Sequence, residues 1–157
     1  MTRAEKLLEL ARARHALITT AESCTGGMIS AAITDPPGAS DIFQVGFVTY
    51  SNTAKTRQLG VEKETLDRFG AVSEPVAVEM AEGALTRSGA THAIAVTGIA
   101  GPGGSDHKPE GRVCFALACK DDATVSETVE FGAIGRAKVR QATVEHALDL
   151  LIAALAR

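Results

Sequence analysis

Tryptophan is missing from this 157-residue chain, and one tyrosine and five phenylalanines are all the aromatics it has. The core must then be aliphatic, and a platform that stacks unpaired bases on rings is excluded. Positive charge is also short. Sixteen Lys and Arg against nineteen Asp and Glu leave a formal charge of −3, so there is no basic footprint for nucleic acid. No apolar run reaches the ~18 residues of a membrane span. The three cysteines, Cys24, Cys114 and Cys119, form no Cys-x-x-Cys pair, and His-Glu-x-x-His does not occur. Neither a disulfide framework nor a metal site is expected, and no organic cofactor is called for. The opening "MTRAEKLLEL" reads as an amphipathic helix start and not as a secretory leader, so a cytoplasmic protein with reduced thiols is expected.

What is present suits an ordinary globular domain, 45% hydrophobic and 22% charged, expected to fold as one unit over 1–157. Leu7, Leu8 and Ala11 share a face of a first helix (3–14). "ALITTA" (16–21) reads as a short strand. Met28, Ile29, Ala32 and Ile33 follow at helical spacing, up to Asp35-Pro36-Pro37-Gly38. "FQVGFVTY" (43–50) is a second strand, and "SNTAK" opens a short helical segment with Ser51 or Asn52 as its cap. Ser73-Glu74-Pro75 starts a longer helix that Gly89 ends. "AIAVT" (93–97) and the nearly continuous apolar "RVCFALAC" (112–119) are strands, the latter expected at the centre of the sheet. "TVSETVEF" (124–131) alternates as a strand with one wet face. The last helix starts near 135.

Helical crossovers make the first three strands parallel, and two hairpin-like links then reverse the chain twice. The expected fold is α/β, a three-layer α/β/α sandwich. Its sheet is mixed and mostly parallel, of about five strands with one antiparallel. In open sheets of this kind ligands bind beyond the carboxyl ends of the parallel strands. Four segments of odd composition fall on that edge: "ESCTGG", "TYSNTAK", "TGIAGPGG" and "GAIGRAKVR".

Each offers a function and a plainer alternative. In "SCTGG", Gly26 and Gly27 open a helix whose first N–H groups could hold a phosphate or an oxyanion, or they could only make a capped turn. Ser23, Cys24 and Thr25 are adjacent candidate nucleophiles. A serine needs a base. Lys55 could supply one if burial favours its neutral amine, with Tyr50 relaying a proton or binding substrate, although an isolated helix lysine is usually solvated. "TGIAGPGGSDHKPEG" is neither a Walker loop nor Gly-x-Gly-x-x-Gly. It still suits close approach to a ligand through Thr97, Gly98 and Gly101. Arg136 and Arg140 share a face at the start of the last helix, where cations oppose the helix dipole unless an anion is present. Local geometry leaves Ser23 and Cys24 open as the nucleophile, and the lack of a histidine on this edge leans toward serine.

Four stretches, "TTAESCTGG", "GFVTYSNTAK", "GAVSEPVA" and "TGIAGPGG", stand together in an order and spacing that resembles the C-terminal domain family of the competence/damage-inducible protein CinA, from about Leu8 to Leu155. The resemblance implies the same α/β/α fold. It also implies deamidation of nicotinamide mononucleotide to nicotinic acid mononucleotide and ammonia, a step in recycling pyridine nucleotides. It makes Ser23 the nucleophile with Lys55 and Tyr50 as partners, and it puts Thr97 and Arg136 in ligand-binding segments. Cys24 is then expected to pack inward, and Thr25 to cap the helix and touch ligand through its hydroxyl. The expected partner is a small nucleotide, not nucleic acid or membrane, and self-association is expected. The larger N-terminal domain of many members is not expected here, and Glu110 and Arg112 stand where the family pattern has apolar or small residues. The rival reading is a nucleotide-binding or protein-interaction module of the same family without catalysis.

Overall fold

A computed structural model describes residues 1–105 and 107–157; Asp106, in the glycine-rich loop, lies outside the described residues. Among the described residues five strands, β1 (Ile18–Glu22), β2 (Phe43–Val48), β3 (His92–Gly98), β4 (Arg112–Cys119) and β5 (Val125–Glu130), lie in the order β2-β1-β3-β4-β5. β1 pairs in parallel with β2 and β3, and β4 runs antiparallel to both β3 and β5. The mixed α/β sheet with one reversed strand agrees with the sequence reading. One detail differs: β4 is interior, but β3 holds the middle. The apolar run of β4 reflects helices on both of its faces and not a central place.

The helices are α1 (Arg3–Ala13), α2 (Met28–Ile33), α3 (Asn52–Leu59), α4 (Lys63–Phe69), α5 (Glu74–Ser88) and α6 (Arg136–Ala156), with a 3-10 turn at Ala39–Asp41. α4 has no counterpart among the elements expected from the sequence. Gly60, in the left-handed region (φ 73), ends α3 and lets the chain restart. Thr2 and Glu5 form a capping box on α1, Ser51 caps α3 and Ser73 caps α5, each satisfying amides that the helix cannot. No described helix is long and apolar enough to cross a membrane.

Alternation along the strands divides the core in two. Ile94, Val96, Phe115 and Leu117 face α1, α2 and α6. Ala93, Ala95, Cys114, Ala116 and Ala118 face α5 with Met80, Ala81 and Ala84. Large side chains fill one layer, and small ones let α5 settle close to the sheet in the other. Each fully buried Leu or Ile contributes roughly 1.5–3 kcal/mol. With β4 alone reversed, the other four strands end at one edge, and the loops after β1, β2 and β3 meet there with the start of α6.

Candidate active site

At that edge one lysine is out of place for its charge. Lys55, in the first turn of α3, is 1% exposed. Its Nζ lies 2.9 Å from Ser23 Oγ, 2.8 Å from the Thr49 carbonyl and 3.4 Å from the Tyr50 carbonyl. Burial lowers its pKa from the ordinary 10.5 to about 8, opposed only by the neighbouring Cys24 thiol. Loss of hydration penalises an ammonium, and among the described residues no carboxylate is paired with it to offset that cost. Ser23, on the turn after β1, is itself buried. Cys24 is buried beside it, and burial pushes its thiol up to about 11, although Lys55 and Arg140 pull the other way. A thiol so placed holds its proton at neutral pH and is a poor nucleophile.

Ser23, Cys24 and Lys55 all border a cavity of about 330 Å³, within the range of small-molecule sites. Its wall takes Tyr50 and Asn52 from the segment after β2, Ala71 and Val72 from the α4–α5 link, the run Thr97–Ser105, Lys108 and Arg136. Thr97 is buried, and its hydroxyl donates to the Ala71 carbonyl (2.9 Å). Arg136 donates to the Gly101 carbonyl (2.7 Å) and to the Tyr50 phenol oxygen (2.9 Å). The two link the glycine-rich loop to the mouth, where Tyr50 is 60% exposed. Only the Tyr50 carbonyl reaches Lys55, so a phenolic proton relay to that lysine does not fit this arrangement. Among the described residues no group of His, Cys, Asp and Glu could hold a metal ion.

The family model for the CinA C-terminal domain matches residues 1–155. The chain belongs to the CinA C-terminal domain family. It is 49% identical over 152 residues to the nicotinamide-nucleotide amidohydrolase PncC of Escherichia coli (strain K12), covering 96% of this chain and 92% of that protein. Its fold matches the crystal structure of the competence/damage inducible protein CihA from Agrobacterium tumefaciens with a TM-score of 0.94 at 47% identity, over 99% of this chain and 94% of the other. A competence or damage-inducible protein from Enterobacter asburiae gives 0.93 at 38% identity, over 98% and 96% of the two chains.

In this CinA-family chain the helix after Ser23 is not open to an anion. Glu22, the last residue of β1, is fully buried, and its carboxylate covers the start of α2. Oε1 accepts from the Thr25 hydroxyl (2.6 Å) and the Gly27 and Ile29 amides (3.2 and 2.9 Å). Oε2 accepts from the Ser30 amide and hydroxyl (2.9 and 2.7 Å). The expected roles nearby change accordingly. Thr25 neither caps α2 nor presents its hydroxyl to the cavity, because that hydroxyl is spent on Glu22 and the residue is fully buried. Gly26 and Gly27 adopt positive φ (58° and 105°) and make the turn, but they do not line the cavity. Arg140 is likewise not in the wall; its Nε donates to the Cys24 carbonyl (3.1 Å) and Nη2 to the Thr25 carbonyl (3.4 Å).

Sequence reasoning passed over Glu22 and Lys108. Glu22 had a legible signal: an acid closing a buried strand, before a helix whose N-cap glycine has no side chain to cap with. Lys108 donates to the Phe69 and Val72 carbonyls (2.6 and 2.5 Å), tying the loop after β3 to the α4–α5 link. The two departures from the family pattern have local partners. Glu110 accepts from the Gly103 amide (2.7 Å), and Arg112 pairs with Glu130 across β4 and β5 (2.6 Å).

Proposed function

We propose that this domain hydrolyses the carboxamide of nicotinamide mononucleotide, giving nicotinic acid mononucleotide and ammonia, with Ser23 as nucleophile and Lys55 as base. The observation that carries the reading is the buried 2.9 Å contact between Ser23 Oγ and Lys55 Nζ, with the lysine pKa lowered to about 8. The activity named for the PncC relative at 49% identity supports the substrate.

A neutral amine has two N–H groups and one lone pair. With the N–H groups on the Thr49 and Tyr50 carbonyls, the lone pair is left for the Ser23 hydroxyl. Ser23 Oγ attacks the carboxamide carbon as its proton passes to Lys55. The resulting ammonium gives that proton to the departing nitrogen, the C–N bond breaks, and ammonia leaves an ester on Ser23. Water then attacks the ester, again giving a proton to Lys55, which passes it to Ser23 Oγ as the C–O bond breaks and the acid departs. The oxyanion is stabilised by the Cys24 N–H group, which lies at the cavity and among the described residues donates to no carbonyl or carboxylate. Arg136, with Tyr50 and the Thr97–Gly101 stretch, holds the ribose phosphate. No step calls on a cofactor. The same proposal takes the domain as one unit over 1–157, working in the cytoplasm on a small molecule and self-associating.

Incubation with nicotinamide mononucleotide should release ammonia and the acid in equal amounts, followed by an enzyme-coupled ammonia assay and chromatography. Tight binding of the mononucleotide without ammonia release would instead support a binding module.

A further inference from the structure

We infer that Glu22 and Arg140 are positioning residues, which clamp the nucleophile turn from its inner and outer sides and aim the Cys24 N–H at the reacting carbonyl; the inference rests on the serine mechanism proposed above. The turn is Ser23-Cys24-Thr25, and all three of its carbonyls are held. The Ser23 carbonyl accepts from the Gly26 amide (3.1 Å). The Cys24 carbonyl accepts from Arg140 Nε (3.1 Å). The Thr25 carbonyl accepts from the Met28 amide (3.0 Å) and Arg140 Nη2 (3.4 Å). In a trans peptide the N–H points opposite to the C=O of the same plane. Fixing the Ser23 carbonyl therefore fixes the direction of the Cys24 N–H, which among the described residues donates to no carbonyl or carboxylate, and Arg140 holds the peptide plane on the other side of Cys24.

Glu22 locks the same turn from below. Its side chain bonds the Thr25 hydroxyl (2.6 Å), closing a loop over Ser23 and Cys24 that is anchored to β1 on one side and α2 on the other. Every contact of the carboxylate is a donor. Ser30 gives its hydroxyl proton to Glu22, so the 2.7 Å contact between Thr20 and Ser30 is donated by Thr20. The chain Thr20, Ser30, Glu22, Thr25 is a polar network, buried except at the half-buried Ser30, with each hydroxyl directed. Because Glu22 occupies the α2 amides, the developing negative charge is left to the Cys24 amide, whose orientation costs nothing at the moment of reaction when it is set beforehand.

Three variants test this. Thr25→Val removes the hydroxyl and keeps the shape, Thr25→Ser restores the hydroxyl, and Arg140→Gln removes the outer clamp from a partly exposed position. Two readouts are taken: kcat, KM and Kd for the mononucleotide, and the rate at which a fluorophosphonate modifies Ser23, followed by mass spectrometry. The second needs no assumption about the natural substrate. Thr25→Val and Arg140→Gln should each lower kcat about ten- to a hundredfold, slow the labelling comparably, and leave Kd within about twofold. Thr25→Ser should recover most of what Thr25→Val loses. If Arg140→Gln weakens the mononucleotide tenfold or more at unchanged labelling, Arg140 is a phosphate ligand and the inference falls. Equal labelling of wild type and Thr25→Val, including no labelling of either, also overturns it. A wild type that is labelled but releases no ammonia overturns the substrate assignment alone, and the labelling comparison still judges the clamp.

Discussion

Raising the pH should switch the enzyme on, and the size of the change follows from the burial of Lys55. The base acts only as a neutral amine. With its pKa lowered from 10.5 to about 8, about one molecule in eleven is competent at pH 7, against about one in three thousand for an ordinary lysine. Burial thus supplies roughly a 300-fold gain, equivalent to about 3 kcal/mol. Ammonia release measured from pH 6 to 9.5 at constant ionic strength should rise tenfold per pH unit below about 8 and level off above it. Lys55→Arg keeps a cation but offers no neutral amine and should lose nearly all activity. The same burial acts on stability with a definite sign. Between about pH 8 and 10.5 the unfolded lysine still holds a proton that the folded one has released, so stability rises with pH across that window; below pH 8 both are protonated and the full cost remains. Urea melts of wild type should gain up to about 3 kcal/mol from this source between pH 7 and 10, and Lys55→Met should lack that gain. A flat pH–rate profile, or a limb near 6.5 of the kind an ordinary histidine gives, would refute the reasoning.

Ser23→Ala should fold and bind the mononucleotide yet release almost no ammonia. Cys24→Ala should keep substantial activity, and iodoacetamide should inactivate wild type slowly, since the thiol pKa stands near 11; a dead Cys24→Ala beside an active Ser23→Ala would make this a thiol amidase. Arg136→Ala should weaken the mononucleotide about ten- to a hundredfold by calorimetry, as expected for a lost charge-assisted contact, and hardly change free nicotinamide. Gly83→Ala should lower stability by about 1–3 kcal/mol in urea melts, because a Cβ there would sit 1.9 Å from the Leu59 carbonyl oxygen; an unchanged midpoint would mean that α3 and α5 are free to part.

The linear chain already determined the strand order and every helix except α4, because periodicity and caps are local. The apolar run of "RVCFALAC" ends where β4 ends, Ser51 and Ser73 cap the helices they precede, and Gly89 stops α5. Topology followed from link lengths, which allow parallel crossovers in some places and only hairpins in others. That brought the right four segments to one edge and made Ser23, Lys55, Thr97 and Arg136 neighbours in expectation. What no local rule could decide is which way side chains face once the loops meet. Whether Lys55 is solvated or buried depends on the turn after β1 meeting the start of α3, across a separation of 32 residues from Ser23. Whether the α2 amides greet a ligand or Glu22 depends on a carboxylate folding forward onto the helix that follows its own strand. Arg136 and Arg140 stand one turn apart with the same charge, yet one reaches the glycine-rich loop and the other the carbonyls of the nucleophile turn. Spacing puts chemical groups on an edge; burial and hydrogen-bond competition, which exist only in the packed structure, choose the partner of each.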